Sequence, residues 1–181
     1  GDEESMGSLG TRWLLDNVPE AKGDAMLCAD VGSPLVVRFG EKGLIWIEIE
    51  AQGKPAHGAH VHKGVNAIDR LRAALDALKS LEKLPVYAPA EVTAAIAAAK
   101  SVSEPLSGAG EADVLGRPTV NIGTIEGGVS PNLVPTFARA RADIRLPVGV
   151  TLERVRAALT DTIGRMEGVT WRVIQAYEPR Y

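Results

Sequence analysis

The chain has a single cysteine, Cys28, in 181 residues, so no internal disulfide staples it. Cys28 sits in the apolar stretch DAMLCADV, where a buried thiol in a reducing, cytoplasmic setting is expected. It has no surplus of basic charge: 20 Lys and Arg stand against 23 Asp and Glu, a net charge of −3. No basic patch or long charge run is present, which argues against nucleic acid as a partner. No apolar run approaches the roughly 20 residues of a membrane span, and no signal peptide is visible, so neither membrane nor export is expected. Histidine is scarce too. All three, His57, His60 and His62, lie in the single stretch GKPAHGAHVHKG.

What is present is the composition of a soluble globular protein, 45% hydrophobic and 24% charged, and long enough for one domain with a fragment of another. The opening GDEESMGSLG reads as the middle of a protein, so an excised piece is expected. SMGSLGTRWLLDNV (5–18) has near-helical apolar spacing, interrupted by two glycines and stopped by Pro19. DAMLCADV (24–31) has the form of a strand with an acid at its C-terminal end, as in parallel α/β sheets.

From residue 43 the pattern changes. GLIWIEIEAQG (43–53) alternates Ile45, Ile47 and Ile49 against Glu48 and Glu50, a half-buried antiparallel strand. Residues 65–84 place Ile68, Leu71, Leu75 and Leu78 on one helical stripe. The Ala-rich 88–100 predicts a short helix, and the Gly- and Pro-punctuated 101–118 a loop. Residues 118–128 predict a strand and 129–132 a turn. Residues 134–147 predict a strand with Phe137, Arg139, Arg141, Asp143 and Arg145 on one face and Ala138, Ala140, Ala142 and Ile144 on the other. A helix capped by Thr151 and a closing strand at 169–177 follow. Strand, helix, insertion (85–118), strand, strand, helix, strand is the split βαβ order of a ferredoxin-like α+β sandwich, an antiparallel sheet with helices on one face.

The residues that bear chemistry are ambiguous one by one. Adjacent Glu3 and Glu4 would suit a metal ligand beside a general base, or a solvated acidic turn. Asp30 is a strand-end acid. The H-x-x-H-x-H spacing fits neither the helical zinc pair nor a thiolate-rich structural site, and the chain is too short for the eight-stranded barrel behind a catalytic H-x-H.

Taken in order, DEESMGSLG, the strand-end Asp30, GKPAHGAHVHKGVNAI and GTIEGGVSPNLVPTFARARADIR form a series that resembles the co-catalytic zinc exopeptidases and N-acyl-amino-acid hydrolases. That group includes acetylornithine deacetylase, succinyl-diaminopimelate desuccinylase, glutamate carboxypeptidase and aminoacylase. The resemblance covers essentially the whole chain. It implies that residues 1–40 end the first segment of an α/β catalytic domain, that 41–178 are a ferredoxin-like lid or dimerisation domain, and that 179–181 begin the return.

The resemblance also implies roles. Glu3 matches the general base, and Glu4 and Asp30 match carboxylate ligands of a two-metal centre. That centre would hold zinc, with cobalt or manganese as alternatives. His57 matches the lid histidine that stabilises the oxyanion in a partner subunit's active site. Asn132 and Arg145 match substrate-binding residues of the lid, the arginine fork suiting a carboxylate. His60 and His62 match no functional position. The implied partners are an amide or dipeptide substrate and a second copy of the chain, docked through an open strand edge and the helix 65–84. The other metal ligands have no counterpart here, so the chain alone is expected to be inactive. The competing readings are a non-catalytic dimerisation or small-molecule-binding module, or an unrelated ferredoxin-like sensor.

Overall fold

The computed structural model describes residues 7, 9–24 and 37–181. The chain divides into two units, residues 1–34 and 35–181. Glu3, Glu4 and Asp30, Cys28 and all but the first residue of the expected strand at 24–31 lie outside the described residues.

In the first unit, α1 (Thr11–Asn17) is shorter than the apolar spacing suggests. It begins after Gly10, and Gly7 at φ 66° holds a conformation no helix uses. Pro19 opens the 3-10 turn Pro19–Ala21 that follows it.

The second unit is built on β1 (Gly43–Gln52), β2 (Thr119–Gly127), β3 (Phe137–Leu146) and β4 (Val169–Tyr177). They form one antiparallel sheet in the order β2-β3-β1-β4. Two helices, α2 (Ala67–Leu78) and α5 (Leu152–Asp161), contribute to one core with the sheet. That core is Ile45, Ile47, Ile49, the alanines of β3, Ile144, Leu71, Leu78, Val155 and Leu159. The period-2 alternation of β1 and β3 therefore sorts side chains as expected: apolar toward the helices, charged on the other face.

Both helices start at side-chain caps. Asn66 Oδ1 accepts from the Ile68 and Asp69 N–H groups, and Thr151 Oγ1 accepts from the Arg154 N–H. α2 differs from the expected helix 65–84 in two respects. It gives way to a 3-10 turn over Lys79–Lys83. Its buried stripe is Ala67, Leu71, Ala74, Leu75 and Leu78, leaving Ile68 40% exposed. At 100° per residue Ile68 falls a full step from Ala67, beyond the stripe's edge.

The insertion is more helical than its punctuation suggests. α3 (Ala90–Ser107) runs on through Pro105, and α4 (Glu111–Leu115) packs against it. A proline removes one bond, to the carbonyl four residues earlier, and in the final turn of an Ala-rich helix that loss is local. Gly108 at φ 110° ends the run.

The face away from the helices is a ladder of charge. Glu48, on the central strand, is 2% exposed. It stands opposite Arg141 on β3 and Arg172 on β4. Arg141 Nε donates to Oε2 at 2.9 Å, and Arg172 donates to Oε1 at 2.9 Å from Nε and 2.6 Å from a terminal nitrogen. These bonds, that from Arg141 foremost, hold the Glu48 carboxyl below the usual carboxylate range against the opposing effect of burial. Arg139 continues the ladder to Glu50 at 3.0 Å and Glu126 at 3.4 Å.

Candidate functional site

The histidine loop leaves the end of β1. Gly53 is forced there, because a Cβ would lie 2.3 Å from the Val65 carbonyl and 2.5 Å from that of Pro135. Paired Lys54–Val65 bonds close the loop's base at 2.8 and 2.9 Å, and residues 58–63 coil into a 3-10 turn. The loop is sewn to the segment before β3 by bonds from the Gly58 N–H to the Asn132 carbonyl (2.7 Å) and from the Val134 N–H to the Ala56 carbonyl (2.8 Å).

His57 caps that turn, its Nδ1 accepting the Ala59 N–H at 3.1 Å. An Nδ1 that accepts has no proton, so the neutral ring carries it on Nε2. The outer nitrogen is then a donor, the form an oxyanion requires. Asn132 lies on the facing segment, where Ser130 Oγ donates to its Oδ1 at 2.5 Å. That bond orients the side chain with its NH2 group as the remaining donor. His57 and Asn132 are thus brought together, two potential donors on one stitched platform.

Arg145 lies elsewhere. Gln52 of β1 pairs with Phe137 of β3, whereas Leu44 pairs with Arg145. Eight residues of strand therefore separate the histidine end from the Arg145 end, about 27 Å at ~3.4 Å per residue. At this far end Arg145 Nε donates to Asp143 Oδ2 at 2.9 Å, and its side chain is 43% exposed. Lys42, on the residue before β1, donates to the carbonyls of Val114 and Arg117, both at 2.7 Å. Burial, then the neighbouring Arg117 and Arg145, lowers its pKa to about 8. No sequence signal marks Lys42, because its partners are backbone carbonyls more than 70 positions away.

Among the described residues, no group of three or more His, Cys, Asp and Glu converges as a metal site. The rings of His60 and His62 meet edge-on with centroids 6.0 Å apart, and neither of these side chains is hydrogen-bonded to His57 or Asn132. Beside Asn132 a shallow groove of about 500 Å³ is lined by Asn66, Ile68, Gly128, Val129, Ser130 and Leu133. Its rim is open, with Val129 92% exposed; further along the edge strand β2, Ile125, on the helix side, is 62% exposed. On α2, Arg70 is spent on the Gln52 carbonyl and Glu167, and in the turn that follows, Lys79 donates to the Val120 carbonyl. No described helix is long and apolar enough to cross a membrane.

Residues 39–168 match the family model described as Peptidase dimerisation domain. A protein named "Probable carboxypeptidase" from Aspergillus clavatus is 31% identical over 147 residues, which are 78% of this chain and 28% of that protein. One of the same name from Neosartorya fischeri is 34% identical over 133 residues, 72% of this chain and 26% of that protein. The chain thus spans little more than a quarter of the length of these two relatives. Among solved structures, a metallo-carboxypeptidase of the M20 family from Sulfolobus solfataricus superposes with a TM-score of 0.66 at 18% identity, over 96% of this chain and 48% of that one. An amidase of the hydantoinase/carbamoylase family from Burkholderia multivorans gives 0.54 at 17% identity, over 77% and 29%. These two likenesses concern the fold.

Proposed function

The chain belongs to the peptidase dimerisation domain family, and from that membership we propose that it is the lid and dimerisation part of a metal-dependent hydrolase cleaving amide bonds of N-acyl amino acids or small peptides. The observation that carries the reading is the separation of the candidate residues. His57 and Asn132 share one end of the sheet and Arg145 the other, about 27 Å away by strand length. A small amide cannot touch both ends of one lid. Two copies, docked through β2 and α2, would let His57 and Asn132 of one protomer serve the site that Arg145 of the other helps to form.

The open edge of β2 and the exposed Ile68, Ile125 and Val129 beside it support that docking. A two-fold contact would extend the sheet across both copies and bury these side chains. In such a site the Nε2–H of His57 donates to the oxyanion of the tetrahedral intermediate, and the Asn132 amide donates beside it. The Arg145 fork receives the substrate carboxylate. Glu3 takes a proton from the attacking water and delivers it to the leaving amine. Glu4 and Asp30 supply oxygen donors, a set that zinc, cobalt and manganese all accept. Two such ions, when bound, would polarise the amide carbonyl and lower the pKa of water. The remaining ligands would come from elsewhere in the longer protein, so the isolated chain is proposed to be inactive.

The test is a panel of N-acetyl amino acids and dipeptides offered to the full-length protein with zinc, cobalt or manganese added. Hydrolysis that needs the metal and is lost on chelation is the expected result. Robust zinc-dependent hydrolysis by residues 1–181 alone would refute the division of labour.

A further inference from the structure

We propose that Arg117, held in place by Lys42, forms one carboxylate-recognition site with Arg145, and that the 85–118 insertion exists to complete it; this rests on reading Arg145 as the residue that receives the substrate carboxylate. The insertion returns to the sheet at the start of β2, where Thr119 pairs with Arg145. Arg117 lies two residues earlier, at the same corner. Lys42 fastens this return, its ammonium bridging the Val114 carbonyl at the end of α4 and the Arg117 carbonyl. Two bonds from one cation to successive turns of backbone fix where the Arg117 side chain begins.

The corner is unbalanced in charge. Lys42, Arg117 and Arg145 gather near two carboxylates: Asp143, which already accepts the Arg145 Nε, and Glu82, which accepts the Val120 N–H at 2.9 Å and feels the Arg117 charge. The terminal nitrogens of Arg145 have no partner among the described residues, and Asp143 Oδ1 is buried without one. Arg117 makes one long bond, from a terminal nitrogen to the Pro118 carbonyl at 3.3 Å. Burial is the first cause of the lowered Lys42 pKa, and the nearby Arg117 and Arg145 charges add to it, so the three cations also disfavour one another. An arriving carboxylate relieves that repulsion, and the terminal donors of Arg145 and the remaining donors of Arg117 can meet it. The insertion thereby becomes a specificity element: it brings a second guanidinium to the anion-binding end of the lid. Lys42 is a positioning residue here, acting through Arg117.

The experiment compares, in the full-length protein, kcat/KM for the best substrate of the panel with that for its carboxamide. Arg117→Gln is expected to lower the carboxylate-to-carboxamide ratio about tenfold, the usual worth of one charge-assisted hydrogen bond. Lys42→Met is expected to lower it similarly and Lys42→Arg to recover most of it. A merely structural loss would lower both substrates alike and leave the ratio where it was. An unchanged ratio in Arg117→Gln overturns the inference, and this exposed substitution decides the case if Lys42→Met does not fold. Arg145→Ala separates the two readings. If it collapses the ratio while Arg117→Gln does not, the Arg145 reading stands and the inference fails; if Arg145→Ala leaves the ratio intact, both fail.

Discussion

At the end of the sheet where β1 finishes, the backbone does the fastening. Bonds among residues 53–65 and 130–136 hold His57 and Asn132, and the surface around them is apolar and open. At the end where β1 begins, side chains do it. Lys42 clamps the insertion, Arg145 leans on Asp143, and positive charge outweighs negative. Under the proposed roles, one sheet would carry two kinds of recognition. Neutral donors need a geometry that does not depend on ionisation, and backbone stitching supplies it. Anion recognition needs unbalanced charge, which survives because the cations stay half in solvent. Between the ends, the Glu48 ladder has neither property: its charges are matched, and they hold the strands in register.

The largest effect is expected at the backbone-stitched end. His57→Ala in the full-length protein should lower kcat by about 100-fold, the scale of losing one oxyanion donor, while metal content measured by emission spectrometry stays intact. Loss of metal in that variant would break the contrast, because it would make His57 a ligand. Next comes the ladder between the ends. Glu48→Gln should destabilise the chain by about 2 kcal/mol in urea unfolding, less than for a fully buried pair because Arg141 and Arg172 can turn to water. Since the folded Glu48 pKa is depressed, its contribution is complete above the ordinary value of 4.5 and is lost as pH falls below it. The wild-type chain should therefore show an acid-labile step that Glu48→Gln lacks.

On the edge strand β2, Ile125→Lys should weaken self-association by about 1–2 kcal/mol in sedimentation equilibrium; unchanged association would exclude the β2 edge as the contact. The smallest effect belongs to Lys42. Its folded pKa of about 8 lies below the free value of 10.5, so between those values the unfolded chain binds more protons and stability rises with pH. Lys42→Met should flatten that rise in urea midpoints measured across the interval.

The alternation of Ile and Glu in β1 and of Ala and Arg in β3 makes these strands and their two faces legible from the amino acids alone, because strand periodicity is a local property. His57, Asn132 and Arg145 are legible only through motif order. That order does not reveal that antiparallel pairing sends Arg145 away from the other two. The burial of Glu48 follows from the match of acidic positions on β1 with basic ones on β3, once the register is known. Ile68 and residues 101–107 of α3 depart from expectation for local reasons, a stripe narrower than its apolar residues and a proline tolerated in a last turn. Lys42 is invisible in the sequence, since a backbone carbonyl has no letter.

The ten-residue length of β1 has a consequence for inheritance. If no lid can bring its two ends to the same substrate, a copy damaged at His57 and a copy damaged at Arg145 are defective in different places. Co-expressed, they would pair into mixed dimers in which one site receives both defects and the other receives none. Random pairing would then restore about a quarter of the wild-type activity from two inactive alleles, whereas two alleles damaged at the same end would restore nothing.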